Sequence, residues 1–111
     1  MLKLSELKKA LDSIGIPVAY HHFEDSHAYP YIVYEEVSKT GVYADGINFV
    51  TYSGVQVELY TATKDPTLES KVANIFETLE LPFTASETVV ESENCFAVSF
   101  YLEIFLEDEE E

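Results

Sequence analysis

Hydrophobic and polar positions follow two different periods along this chain and predict two helices and five strands. Between residues 3 and 13, leucines recur every three or four positions, which is typical of an amphipathic helix. A second such pattern follows Asp65 and Pro66, residues favoured at a helix N-cap and at the first helical position. The predicted apolar face of this second helix comprises Leu68, Val72, Ile75, Phe76 and Leu79.

In most of the other segments, apolar and polar residues alternate with a period of two, which is typical of strands. Strands are predicted over residues 18–23 and 31–38, and the clearest one points Val55, Val57 and Leu59 to a single face, with a bulge at Gly54. After the second helix, two strands form a hairpin around the polar turn "SEN". The apolar face of its second strand comprises Phe96, Val98, Phe100, Leu102, Ile104 and Leu106.

The element order α-β-β-β-α-β-β predicts an α+β fold. Two amphipathic helices and a largely antiparallel sheet of four to five strands bury their apolar sides as a two-layer sandwich, with both helices on one face. Residues 1–106 form the single predicted domain, and residues 107–111, "EDEEE", form a solvated acidic tail. With 47% hydrophobic residues in 111 positions, the chain can bury a core without a metal or disulfide.

The segment 39–48, "KTGVYADGIN", combines two glycines with an aspartate and an asparagine, and is predicted to be a long loop. Its apolar content is higher than that of a plain linker. Val42 and Tyr43 either pack back on the domain or are offered to a partner. We predict that Val42, Tyr43, Asp45 and Ile47 contact a protein partner, and that the loop becomes ordered on assembly.

Charge is the most unusual property of the composition. Six lysines and no arginine accompany 21 acidic residues, so that the formal net charge is −15. Arginine is the usual residue for bidentate phosphate contacts, and an acidic surface repels the nucleic-acid backbone. The sequence therefore predicts no direct nucleic-acid binding. Solubility alone, a wall past which DNA slides, and a mimic of DNA all remain compatible with this charge.

The composition also bears on the compartment. Cys95 is the single cysteine and cannot form an internal disulfide, which favours a reducing environment. The first residues are amphipathic rather than continuously apolar, unlike a signal peptide, and the longest apolar-rich run is too short and interrupted to span a bilayer. We expect a soluble cytoplasmic protein without a membrane partner.

The three histidines lie within residues 20–37, which raises the question of a metal or acid–base site. Neighbouring strand residues point to opposite faces, so His21 and His22 are expected to diverge, and His27 can reach only one of them. Glu35 and Glu36 alternate likewise, and no nucleophile motif or glycine-rich loop accompanies them. The prediction is no catalytic, cofactor-binding or metal residue and no enzymatic activity. The eight tyrosines favour either an interaction sheet or the edge of a core.

Several segments together resemble a family of phage and prophage proteins. They are "HHFEDSHAYPYIVYEE", of which "PYIVY" is the most telling part, "VELYTATKD" at residues 57–65, and the acidic hairpin "SETVVESENCFAVSFYLEI". The chain resembles, over nearly its whole length, the tail-completion proteins of long-tailed phages, which include tail terminators and tail-to-head joining proteins. These segments are structural signatures, and the family has no catalytic motif to transfer.

The resemblance implies a non-enzymatic protein of the virion, located at the head–tail junction after assembly in the host cytoplasm. Such proteins cap the tail tube as a ring, commonly of six copies, through which the DNA passes. The implied partners are the tail tube protein and the head–tail connector, and the free subunit is expected to be a monomer. The alternatives are an acidic DNA-mimic inhibitor, another small non-enzymatic binding protein, and a small enzyme or metal protein that uses the histidines.

Overall fold

A computed structural model describes residues 2–22, 28–44 and 48–105 of the chain, with only the backbone described at residues 44 and 48–50. The helices are α1 (Leu4–Asp12) and α2 (Pro66–Thr78). The strands are β1 (Val18–Tyr20), β2 (Tyr31–Ala44), β3 (Asn48–Thr61), β4 (Phe83–Val90) and β5 (Cys95–Ile104). A short 3-10 helix at Glu91–Glu93 joins β4 to β5 where the polar turn was predicted. The order of elements is the predicted one.

The five strands form one sheet in the order β1-β2-β3-β5-β4. β1 pairs with β2 in parallel, and every other neighbouring pair is antiparallel. Both helices pack on the same face of this sheet, which confirms the predicted α+β architecture. The buried core residues are Leu7, Leu11, Leu68, Val72 and Phe76 from the helices, and Ile32, Tyr34, Val55, Val57, Leu59, Val98, Phe100, Leu102 and Ile104 from the sheet.

Local sequence signals explain where α2 begins. The Asp65 carboxylate accepts a hydrogen bond from the backbone N–H of Leu68 at 3.1 Å, and Pro66 occupies the first helical position. A side-chain cap of this kind contributes about 1 kcal/mol to helix stability. The helix ends at Thr78, just before Glu80, whose φ of 58° is left-handed. No helix in the described part of the chain has the length and apolar character that crossing a membrane requires.

The prediction of a long loop at residues 39–48 is wrong. β2 and β3 stay paired from Lys39 opposite Ser53 to Ala44 opposite Asn48, and only residues 45–47 lie outside the described residues. The reason is cross-strand pairing of strand-forming residues, since Val42 lies opposite Val50. Glycine, aspartate and asparagine indicate loops only where no such partner strand is available. Residues 39–44 are therefore already a strand in the isolated chain, contrary to the expected ordering on assembly.

The predicted bulge lies on the strand opposite the expected one. The pairing passes from Glu36 opposite Val55 to Ser38 opposite Gly54, which leaves Val37 on β2 as the extra residue. Gly54 is required for a different reason. A Cβ atom at this position would overlap the Ser38 Oγ and the Tyr101 hydroxyl, so glycine allows the close approach of these two side chains.

The far end of the β2–β3 hairpin projects from the body of the molecule. β5 pairs with β3 only from Ser53 to Thr61, so residues 40–44 and 48–52 form a two-stranded extension, here called the arm. Strands of 14 residues extend about 48 Å at about 3.4 Å per residue. This length accounts for the longest dimension of the molecule, whose extents are 50 × 28 × 25 Å.

Candidate interaction surface

The arm carries two of the four residues that were predicted to contact a partner. Tyr43 is 72% exposed and Val42 is 38% exposed, and as neighbours in β2 they point to opposite faces of the arm. Asp45 and Ile47 fall in the segment 45–47, outside the described residues. The arm therefore presents an aromatic ring on one face and an aliphatic side chain on the other.

The second feature is the face of the sheet that the two helices leave uncovered, here called the open face. It carries a stack of tyrosine rings. The ring centroids of Tyr29 and Tyr31 are 5.6 Å apart with planes inclined by 12°, and those of Tyr31 and Tyr60 are 4.9 Å apart at 20°. Tyr31 and Tyr60 lie directly opposite each other in the β2–β3 register, where side chains are close enough to stack. These three rings are called the tyrosine stack below.

Tyr34 belongs to the core rather than to the open face. Tyr34 is only 7% exposed and packs on the helix-covered face. It lies three positions after Tyr31, and residues an odd number of positions apart in a strand point to opposite faces. Its ring meets that of Tyr20 edge-on, with centroids 5.1 Å apart. The tyrosines therefore divide between the open face and the core.

The tyrosine stack has unusual acid–base properties. The hydrogen bond with the Cys95 thiol, followed by burial and the nearby Cys95 and Glu93, raises the pKa of Tyr29 to about 12. Burial and then the charge of Glu58 raise the pKa of Tyr60 to about 12. Burial and negative neighbours both disfavour a phenolate, so the stack stays neutral over a wide pH range. Cys95 itself is buried at the start of β5.

We expect Tyr29 and Tyr60 to ionise well above the ordinary tyrosine pKa of about 10. Because their folded-state pKa is raised above the unfolded value, their contribution to stability is complete below about pH 10 and is lost as the pH rises to about 12. Ultraviolet titration of tyrosinate absorbance should show a late phase, reduced by Tyr29→Phe and by Tyr60→Phe. In denaturant, all tyrosines should titrate in one earlier phase. A folded protein that titrates like the denatured chain contradicts this prediction.

The expected divergence of the two adjacent histidines is wrong. β1 ends at Tyr20, so strand alternation does not apply to His21, whose φ is 67°. The backbone N–H of His22 donates to the Tyr20 carbonyl at 2.7 Å, closing a tight turn. This turn brings the two imidazoles together, with 2.7 Å between their Nδ1 atoms, so that one ring donates and the other accepts.

The histidine pair also reaches β2, where the His21 Nε2 lies 3.4 Å from a carboxylate oxygen of Glu35. His27 and the neighbouring acidic residues Glu24 and Asp25 lie outside the described residues. Within residues 2–22, 28–44 and 48–105, no group of three or more His, Cys, Asp or Glu side chains is placed to hold a metal ion. The pair is an exposed polar cluster beside the open face.

Sequence reasoning missed two of these features, each for its own physical reason. Alternation places Tyr31 and Tyr60 on strand faces, but their stacking depends on the register between β2 and β3, which no local pattern determines. Contact between His21 and His22 depends on where β1 stops. The doublet of tyrosines around Pro30 was the only available signal for the tyrosine stack.

Comparison with known proteins adds no relative to these observations. A scan of the sequence against protein-family models finds no match. A search among curated proteins likewise finds none. The geometry of the chain, together with the resemblance noted in its sequence, is what bears on function.

Proposed function

We propose that this protein is a structural component of a long-tailed phage or prophage, which caps the head-proximal end of the tail tube and joins the tail to the head connector. The observation that carries the proposal is the arm, a two-stranded projection with Tyr43 exposed near its end. A projecting hairpin offers a neighbouring protein both strand backbone and an aromatic side chain, and tyrosine is enriched at interfaces.

The segments that resemble the tail-completion family lie in the framework that holds the arm. "PYIVY" enters β2, and "VELYTATKD" runs from β3 to the N-cap of α2. The proposed partners are the tail tube protein on one side of a ring and the head–tail connector on the other. In such a ring each contact is heterologous, one patch meeting a different patch on its neighbour.

The charge supports passage of DNA through such a ring without capture. The chain has no arginine and only six lysines, and within the described residues carboxylates engage at least two of these lysines. Lys8 pairs with Asp12 at 2.8 Å, and Lys64 pairs with Glu69 at 2.8 Å and also with Glu87. Few cations are left to bind phosphate, so an acidic lumen repels the DNA backbone at short range.

Immunogold electron microscopy of particles from an induced culture of the source strain tests this proposal. The antibody should recognise the exposed side of α2, which includes Thr67, Ser70 and Lys71 and lies apart from the arm. We expect label at the head–tail junction, and an uninduced culture provides the control. Antibody binding to particles dissociated in mild denaturant shows whether the epitope was accessible.

Intact particles without label, combined with absence of the protein from dissociated particles, would overturn the proposal. The net charge of −15 would then favour the acidic DNA-mimic inhibitor. That function predicts tight binding to a basic host enzyme, and this binding should weaken steeply as salt is added.

A further inference from the structure

The first edge of the sheet is β4. It pairs with β5 without interruption from Phe83 opposite Leu102 to Val90 opposite Cys95. Among the described elements, β5 is its principal contact, and the six central residues of β4 are exposed. One full side of the β4 backbone therefore faces away from its own sheet.

β4 lacks the features that usually protect such an edge. Natural proteins place lysine, proline or a bulge on an edge strand, because its unpaired N–H and C=O groups can recruit another strand. β4, "FTASETVV", contains no lysine or proline, and its register with β5 has no bulge. Its single charged residue, Glu87, is engaged by Lys64. A regular, eight-residue edge of this kind is suited to accept a strand.

The second edge is the upper part of β2. β1 covers β2 only at Ile32–Tyr34. Beyond Tyr34, the backbone N–H of Glu36 donates a hydrogen bond to the Tyr20 hydroxyl at 3.1 Å. From Ser38 to Ala44, the described part of the chain provides a partner strand on the β3 side alone. This segment, "SKTGVYA", is here called the β2 edge, and it is seven residues long against eight in β4.

Direction makes these two edges complementary, and their low charge lets two copies approach here. β2, β3, β5 and β4 are successively antiparallel, so β4 runs opposite to β2. A neighbouring copy in the same orientation therefore offers an antiparallel partner. In a chain of net charge −15, copies repel one another, but β4 has one acidic residue and the β2 edge has one basic residue, Lys39. Pairing β4 with itself would instead place two Glu87 side chains at neighbouring positions.

We propose that β4 of one copy pairs in antiparallel fashion with the β2 edge, residues 38–44, of a second copy, so that the sheet continues from subunit to subunit. The contact is heterologous and therefore propagates into a ring or a chain of copies. Its role at the tail tube rests on the proposed function, whereas the pairing itself is a property of the isolated protein. The pairing therefore predicts self-association in solution, in contrast to the monomeric free subunit that the family resemblance implies. The arm lies beside this contact, because residues 40–44 belong to both.

Proline substitution tests the pairing, because proline removes a backbone donor and its ring obstructs an incoming strand. Neighbouring N–H groups in β4 point alternately to β5 and to the free side. Of Ala85→Pro and Ser86→Pro, one should therefore disrupt the ladder with β5, while the other keeps the fold. Thermal unfolding identifies the folded variant of the two. Thr40→Pro and Gly41→Pro form the equivalent pair for the β2 edge, with Ser86→Ala and Thr40→Ala as controls.

The measurement is the mass in solution by sedimentation, up to the highest soluble concentration. We expect the unmodified chain and the alanine controls to form species of more than two copies. The folded proline variants should each require at least about tenfold more protein to associate. A mixture of the two folded proline variants should form a complex of one copy of each, since every copy keeps one intact edge.

Three results would overturn the proposal. The unmodified chain can remain monomeric at every concentration, or the folded proline variants can associate like the controls. A dimer that only the β4 variant loses would indicate that β4 pairs with itself. If self-association is lost on proline substitution but particles carry no label, the edge pairing stands and the phage function fails, so the two proposals are tested separately.

Discussion

Replacing Phe76 with alanine is expected to destabilise the protein by about 3–5 kcal/mol, the usual range for a buried phenylalanine. Phe76 has 0% exposure and lies on α2, where its ring centroid is 5.5 Å from that of Phe83 and 5.4 Å from that of Phe100. Because these rings join α2 to β4 and β5, truncation leaves a cavity at the contact between the two layers. A domain of this size has a total stability of only about 5–15 kcal/mol, so much of it would be lost.

Urea unfolding followed by circular dichroism measures this effect, and Phe105→Ala is the matched control. Phe105 is 51% exposed, and its ring meets the edge of the Tyr52 ring at 6.0 Å between centroids. Its truncation should cost less than about 1 kcal/mol. Should both substitutions lower the free energy of unfolding by the same amount, Phe76 would not have the central packing role assigned to it.

Replacing Tyr43 with threonine is expected to reduce incorporation into particles by at least about tenfold, with little effect on folding. Truncating a central interface tyrosine can cost about 2 kcal/mol or more, and this loss recurs at every subunit of a ring. Threonine keeps the β-branched character that favours a strand, and position 43 is 72% exposed. The free energy of unfolding should therefore change by no more than about 0.5 kcal/mol.

The conservative variant Tyr43→Phe retains the ring and should restore most of the incorporation. Quantitative immunoblotting of purified particles measures the protein, and electron microscopy measures tail length, which should become variable if tube growth is no longer stopped. Normal incorporation of the threonine variant, together with uniform tails, would show that the arm does not make the proposed contact through Tyr43.

Much of the architecture was predictable because its signals are local. The period of 3.6 residues and the Asp65–Pro66 start predicted α2, and the alternation of Val55, Val57 and Leu59 predicted the buried face of β3. Neither signal requires knowledge of which segments meet. The order of elements and the placement of both helices on one face followed from them.

The candidate site was less predictable because it depends on contacts between distant segments. Val42 and Tyr43 were predicted to contact a partner from a loop, and the structure places them as exposed residues of a paired strand. A glycine-containing segment becomes a strand when a partner of matching register lies beside it, as residues 48–52 do here. The tyrosine stack likewise depends on the β2–β3 register, whereas the histidine contact depends on where β1 ends.

The sequence by itself determined the α+β class, the two amphipathic helices and the strongly acidic, arginine-free composition, because periodicity and charge are summed over neighbouring residues. Only the tertiary structure decided the length of the β2–β3 hairpin, the position of the bulge at Val37, and which strands lie at the sheet edges. These features arise from pairing between segments far apart in the chain. The energy of strand pairing depends on the residues of both strands, so the sequence of one strand does not determine its partner or its register.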